Sequence, residues 1–395
     1  MDTATLRFGF LLGMVGLIFA LLWRDRENVE RSGILFYRRT KNGLDLIDRV
    51  AKRFPRFWKV YSWGGVLAAA VSVPLIFYSI YELVLKVVRT GQPAEGAGVV
   101  YPSTGSTISQ SAGAIGVPAE YWFISIGILM VVHELSHGVI ARAQDFDINS
   151  VGVLVLGVIP GAFVEPKGSG LPGDDGGDEA KPHGAWDQGD WISRVKVLAA
   201  GSWANYLTAG LFLVLALGFT SATSNPAGIV YQAQDDFPAG EAGMTNGTLQ
   251  AVGNQTVADI SDIKAATEGL QSGDSLELVT TEGNFSVTAT SKEGFDGGYL
   301  GLQFLSVDRE YKDGLKSFSG FLSWFGGLLN IVAFLNLGIG MFNMFPAKPL
   351  DGGHILDAVI ERFAGEEYTQ YVNAWSGAVL LLLVGVIVYS IIGPF

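Results

Sequence analysis

The stretch VVHELSHGVI, Val131 to Ile140, places two histidines and a glutamate inside a run that is almost purely apolar from Trp122 onward. An ionisable group at membrane depth costs about 2.5 to 3.5 kcal/mol on insertion scales, so it is rare there unless it has work to do. In a helix His133 and His137 are four apart and project from one face, so both imidazoles can ligate one ion. Glu134 lies beside them, where it can take a proton from water. The bare HExxH spacing recurs by chance in soluble proteins. Within a spanning helix chance is a weaker explanation, because every polar group there has to be compensated.

Working outward, the chain has 395 residues, 49% of them hydrophobic and 16% charged, with a mean hydropathy of +0.34. Six stretches reach the ~20 apolar residues that a bilayer requires: Leu6–Trp23, Ser62–Val88, Glu120–Arg142, Val195–Ser221, Phe318–Phe345 and Ala374–Gly393. They predict a polytopic α-helical membrane protein. Arg24-Asp25-Arg26 follows the first stretch where a signal peptide would have a small-residue cleavage site, so that stretch reads as an uncleaved anchor. Cysteine is absent, which leaves only nitrogen and oxygen to hold a metal.

Arg24 to Lys59 carries eleven Lys or Arg against five Asp or Glu, in a chain of net charge -12. Lys and Arg are retained on the cytoplasmic side. This predicts a multi-pass protein of the cell membrane, with both termini and the segment between the fourth and fifth spans outside. The third and fifth spans then run inward, and His137 and Asp351 converge near the cytoplasmic face. The acidic, lysine-poor remainder suggests a high-salt habitat. No nucleic-acid footprint is present.

Ile148–Val164 is rich in Val and Gly and reads as extended structure at the membrane surface, with a re-entrant loop as the alternative. Glu165–Trp191, which contains His183, reads as a flexible acidic loop. From Pro226 to Ser306 apolar density falls and alternation appears, as in SLELVTTEGNFSVTAT, predicting a soluble β-rich domain. The stretches FPAGEAGMTNGTLQAVGNQTV and GLQSGDSLELVT resemble a PDZ domain, and Tyr299, Leu300, Gly301 and Leu302 resemble its peptide-binding loop. The predicted division is an anchor and basic segment over 1–60, a first core part over 61–225, the PDZ-like insertion over 226–310 and a second core part over 311–395.

A catalytic zinc commonly has three protein ligands. In NMFPAKPLDGGHIL both Asp351 and His354 are candidates for the third, with Asp351 slightly ahead because its flanking glycines allow close backbone approach. HELSH, AGSWANYL, FNMFPAKPLDGG and the PDZ-like insertion together resemble the site-2-protease family of intramembrane zinc metalloproteases, over about Glu120 to Ile355. That resemblance implies one zinc held by His133, His137 and Asp351, with Glu134 as general base. It also implies transmembrane protein substrates, cut after a first trimming cut, and a PDZ-like domain that filters by size or docks a peptide terminus. Ser202 stands where family members often have proline, and the run from Asn343 to Asp351 departs from the usual spacing.

Asn205 and Asn343 are candidate donors to substrate backbone or to a developing oxyanion, with interhelical hydrogen bonding as the alternative. Gly152, Val153, Leu154, Val155 and Gly157 form a candidate strand for holding unwound substrate, which must lie among lipid and protein. Two readings compete: an inactive PDZ-containing scaffold in the membrane, and an ion-coupled transporter. The intact His133, Glu134, His137 and Asp351 argue against the first, and the lack of a second copy of either motif against the other.

Overall fold

The computed structural model describes residues 3–33, 35–92, 98–111, 113–156, 159–168 and 184–392. Gly157, His183 and most of the acidic loop lie outside them. Six helices are long and apolar enough to cross a membrane, Ala4–Arg24, Pro55–Thr90, Ala119–Ala143, Trp191–Thr223, Asp313–Asn343 and Glu366–Ile391. Each overlaps one of the six apolar stretches. The chain divides into two compact units, residues 1–214 with 327–395, and residues 215–326. The second therefore takes in the last turns of one spanning helix and the first turns of another, beyond the boundaries at 226 and 310.

In the first unit, helix α1 (Thr3–Arg24) is followed by strands β1 (Val29–Ser32) and β2 (Leu35–Thr40) and helices α2 (Leu44–Arg53) and α3 (Pro55–Thr90). Strands β3 (Gly98–Ser103), β4 (Ser109–Ser111) and β5 (Gly113–Pro118) lead directly into α4 (Ala119–Ala143), which carries the HExxH sequence. Strands β6 (Ile148–Leu156) and β7 (Ile159–Pro166) precede α5 (Trp191–Thr223).

Helix α4 is the most enclosed of the six spans: 44% of its apolar window is buried, against none for α1. At its first turn Glu120 accepts both Nε and Nη2 of Arg7 from α1, at 2.7–3.0 Å. At its last turn Arg142 pairs with Asp48 of α2 at 2.7 Å and with Asp147 at 2.8 Å. Between these ends, Ile47 and Ala51 of α2 pack on Val139, Ile140 and Ala141. The charges thus pin both ends of a helix whose middle is held by apolar packing.

Ile148–Val164 is extended, as its composition predicts. It forms an antiparallel hairpin in a four-stranded sheet of order β1-β2-β6-β7. The pairing corrects one expectation. Gly152, Val153, Leu154 and Val155 lie on β6, whose two edges are already taken by β2 and β7. A further strand could add there only by displacing a neighbour, and among the described residues the unpaired edge near α4 belongs to β7.

The second unit holds a six-stranded sheet formed by β8 (Ser224–Ala233), β9 (Asn246–Val252), β10 (Gln255–Thr256), β11 (Ser275–Thr280), β12 (Gly283–Thr288) and β15 (Leu302–Tyr311). Strands β13 (Thr290–Lys292) and β14 (Phe295–Tyr299) pair separately, and short helices α6 (Pro238–Glu241) and α7 (Ile260–Ala266) complete the unit. Its core gathers Ile229, Tyr231, Leu249, Leu278 and Val287. Tyr299 to Leu302 joins β14 to the edge strand β15, and the Leu300 and Gly301 carbonyls accept the N–H groups of Ala239 and Gln234, each at 2.9 Å.

The chain ends with α8 (Ser319–Asn343), α9 (Asp351–Phe363) and α10 (Thr369–Ile392). Arg194 donates to Glu361 from both terminal nitrogens at 2.8 Å, tying the start of α5 to α9. These hydrogen bonds hold the Glu361 carboxyl below its ordinary value. The stabilisation is therefore complete above the unfolded-state value of about 4.3 and is lost as pH falls through the depressed one. In nanodiscs, acidification from about pH 5 to 3 should lower the unfolding temperature of the wild type more than that of Glu361→Gln. Equal acid sensitivity would contradict the pairing.

Candidate metal centre

The enclosed middle of α4 presents His133 and His137 on one face, with their Nε2 atoms 3.0 Å apart and their rings edge to face. Asp351, the first residue of α9, brings its Oδ2 to 3.3 Å from Nε2 of His133 and 3.5 Å from Nε2 of His137. Atoms bound to one tetrahedral zinc at 2.0–2.1 Å lie about 3.3 Å from one another. The observed triangle has that size.

The hydrogen bonds around the triangle bear on which nitrogens are open to a cation. Nδ1 of His137 lies 2.7 Å from the carbonyl of Val197, an acceptor only, so this nitrogen carries the proton and Nε2 keeps its lone pair. Nδ1 of His133 lies 3.0 Å from the amide nitrogen Nδ2 of Asn205, whose side chain is fully buried. A donating Nδ1–H there requires the Asn205 Oδ1 to face it, an orientation interchangeable with its mirror at the same atomic positions. Oδ2 of Asp351 is buried without a hydrogen bond. Two imidazole nitrogens and a carboxylate oxygen thus face one another within 3.5 Å, a donor set that a divalent cation could share.

Glu134 projects beside the triangle, and its carboxylate accepts the backbone N–H of Val164. That N–H belongs to β7, so the unpaired edge of this strand runs past the carboxylate. Two further contacts hold α5 in place. Ser136, inside the HELSH sequence, donates to the carbonyl of Ala200 at 2.8 Å and receives the Tyr61 hydroxyl at 2.8 Å. Gly201 follows directly, and a Cβ there would lie 2.4 Å from Nε2 of His137 and 2.6 Å from Nε2 of His133. Only hydrogen fits between α5 and the two ligands.

The expected residues are distributed as follows. His133, His137 and Asp351 converge, and among the described residues they are the one group of three such side chains able to hold a metal. His354 is exposed on α9 and is not part of this group. Asn205 is buried against His133, a contact between helices of the kind the interhelical alternative describes. Asn343 ends α8, half-buried. Tyr61, Ser136, Val197 and Gly201 were missed. A glycine in AGSW and a serine in HELSH are the only traces they leave, and neither says what it will touch.

Asp351 owes its position to the glycines after it. A Cβ on Gly352 would meet the Met344 carbonyl oxygen at 2.1 Å, and one on Gly353 the Lys348 nitrogen at 2.2 Å. The backbone that approaches closely is thus the preceding loop and not the metal site.

The family model described as peptidase family M50 matches residues 121–385. An uncharacterized protein of Methanocaldococcus jannaschii is 25% identical over 355 residues, 87% of this chain and 84% of that one. A Clostridium perfringens protein named "Putative zinc metalloprotease" is 25% identical over 67% of this chain and 94% of its own. A Nostoc protein of the same description is 24% identical over 66% and 92%.

Gly201→Ala should abolish zinc retention while leaving the helix content unchanged, because the added methyl group occupies the space between the two imidazoles. Metal analysis and circular dichroism of the purified variant check this. Wild-type zinc content in Gly201→Ala would contradict the close packing.

Proposed function

Since the chain belongs to peptidase family M50, we propose that it is a zinc-dependent intramembrane endopeptidase. It hydrolyses a peptide bond within or near a spanning segment of a membrane protein. One observation carries this reading: two imidazole nitrogens and a carboxylate oxygen meet 3.0–3.5 Å apart inside a helical bundle, beside the Glu134 carboxylate. His133, His137 and Asp351 would hold one zinc, which when bound polarises the scissile carbonyl and acidifies water.

The chain's own groups supply the rest. Glu134 takes the proton from the attacking water and delivers it to the departing amine. A peptide bond in a helix has its carbonyl occupied, so the substrate has to unwind before attack. The unpaired edge of β7 offers the unwound segment main-chain hydrogen bonds that lipid cannot, alongside Glu134. The Asn343 carboxamide, which ends the helix leading to Asp351, is a donor for the substrate carbonyl.

The basic segment 24–59 supports a cut near the cytoplasmic side. The unit of residues 215–326 would act as the PDZ-like filter, admitting substrates already trimmed.

Glu134→Gln should reduce cleavage by about 10²- to 10⁴-fold, the usual worth of a general base, with zinc content unchanged. Mass-spectrometric mapping of new protein termini in membranes carrying wild type or variant checks this. Fragments ending inside spanning segments should vanish with the variant, and identical termini in both would sink the reading.

A further inference from the structure

Two of the three metal ligands are steadied through their side chains: His137 by the Val197 carbonyl and His133 by Asn205. Asp351 has no such partner. Among the described residues its carboxylate meets only the two imidazoles, and Oδ2 accepts no hydrogen bond. Outside the ligand triangle its location is therefore set through its backbone, which is the first residue of α9 and rests on the loop from Met344 to Leu350. What holds that loop determines where the third ligand stands.

The loop is held by α10. The indole Nε1 of Trp375 donates to the Pro346 carbonyl at 2.8 Å. The buried Ser376 hydroxyl accepts the Lys348 backbone N–H at 2.9 Å and donates to the Val372 carbonyl at 2.6 Å, so its hydrogen-bonding capacity is used on both sides. One turn earlier, Asn373 accepts the Lys348 ammonium at 3.1 Å, and the same ammonium pairs with Asp357 of α9 at 2.7 Å. Beneath these bonds Phe345 and Ala347, both fully buried, pack on Val379 and Leu383.

Helix α10 is also anchored some distance away. Tyr389 donates to the Gly91 carbonyl at 2.7 Å, and Gly113 of β5 lies so close that a Cβ would meet the Ile387 carbonyl oxygen at 3.0 Å. Trp375 and Ile387 are separated by about 18 Å along the helix axis at 1.5 Å per residue. A helix fixed at two such points is a stable reference for the loop.

We infer that α10 is the frame of the third metal ligand, with Trp375 and Ser376 as positioning residues that set Asp351 through the Pro346–Leu350 loop. The inference rests on the reading of Asp351 as a ligand and gives the last spanning helix, otherwise plain in sequence, a task at the metal centre. Removing either hydrogen bond leaves a backbone group of the loop unpaired, and outer partners of metal sites affect affinity by about tenfold or more.

The test is zinc affinity, read by chelator competition on the full chain in nanodiscs. Ser376→Ala and Trp375→Phe should each weaken zinc binding by about tenfold, whereas Ser376→Thr, which restores a hydroxyl, should return to wild type. Leu381→Ala, on an exposed position of the same helix, should leave affinity unchanged. Wild-type affinity in both Ser376→Ala and Trp375→Phe overturns the inference, as does an equal loss in Leu381→Ala. If Ser376→Ala does not fold, Trp375→Phe, which keeps an aromatic ring against Phe77, decides alone. Asp351→Asn separates the levels. If it loses zinc while the α10 variants keep it, only the frame is wrong; if it keeps zinc, the ligand assignment itself fails.

Discussion

Three atoms bearing lone pairs, on His133, His137 and Asp351, are brought within 3.5 Å of one another in a part of the chain built to exclude water. Such a cluster is ordinarily left open to water, because burying it is costly unless a proton or a cation is shared. The structure instead closes on it. The hydrogen bond from His137 to Val197 and the approach of Gly201 bring α5 against both imidazoles, while the paired glycines fold α9 onto its own loop.

The same constraint accounts for the polar groups distributed through the spans. Tyr61, Ser136 and the Ala200 carbonyl form a short relay that ties α3, α4 and α5 together next to the ligands. Each polar atom in it has a partner, so its presence among apolar helices costs little. Around Glu134 the surroundings are different. Its carboxylate accepts the Val164 N–H, so it lies against β7, which is an edge strand of its sheet among the described residues.

Much of this was legible in the residues themselves. Six apolar stretches and the i, i+4 histidines follow from composition and helical period, which depend on nothing beyond the local chain. What was not legible depends on which neighbour a side chain or strand edge meets. Asp351 and His354 are three residues apart, and only the folding of the glycine pair onto Met344–Lys348 decides which one turns inward. Asn205 reads equally well as a substrate donor or an interhelical contact until α5 is set against His133. The Val- and Gly-rich hairpin reads as strand, but its pairing with β2 from the basic segment 24–59 is a long-range event, and it is this pairing that moves the open edge from β6 to β7. Strands β3 to β5, rich in Gly and Ser, carry no alternation that would announce them.

The most direct test of the metal centre is X-ray absorption at the zinc edge on the purified chain in lipid. One zinc per chain is expected, with two imidazoles and an oxygen-only remainder in its coordination shell, and loss of the bound zinc in Asp351→Ala. A shell with three imidazoles, drawing in His354, or a spectrum unaffected by Asp351→Ala, would contradict it.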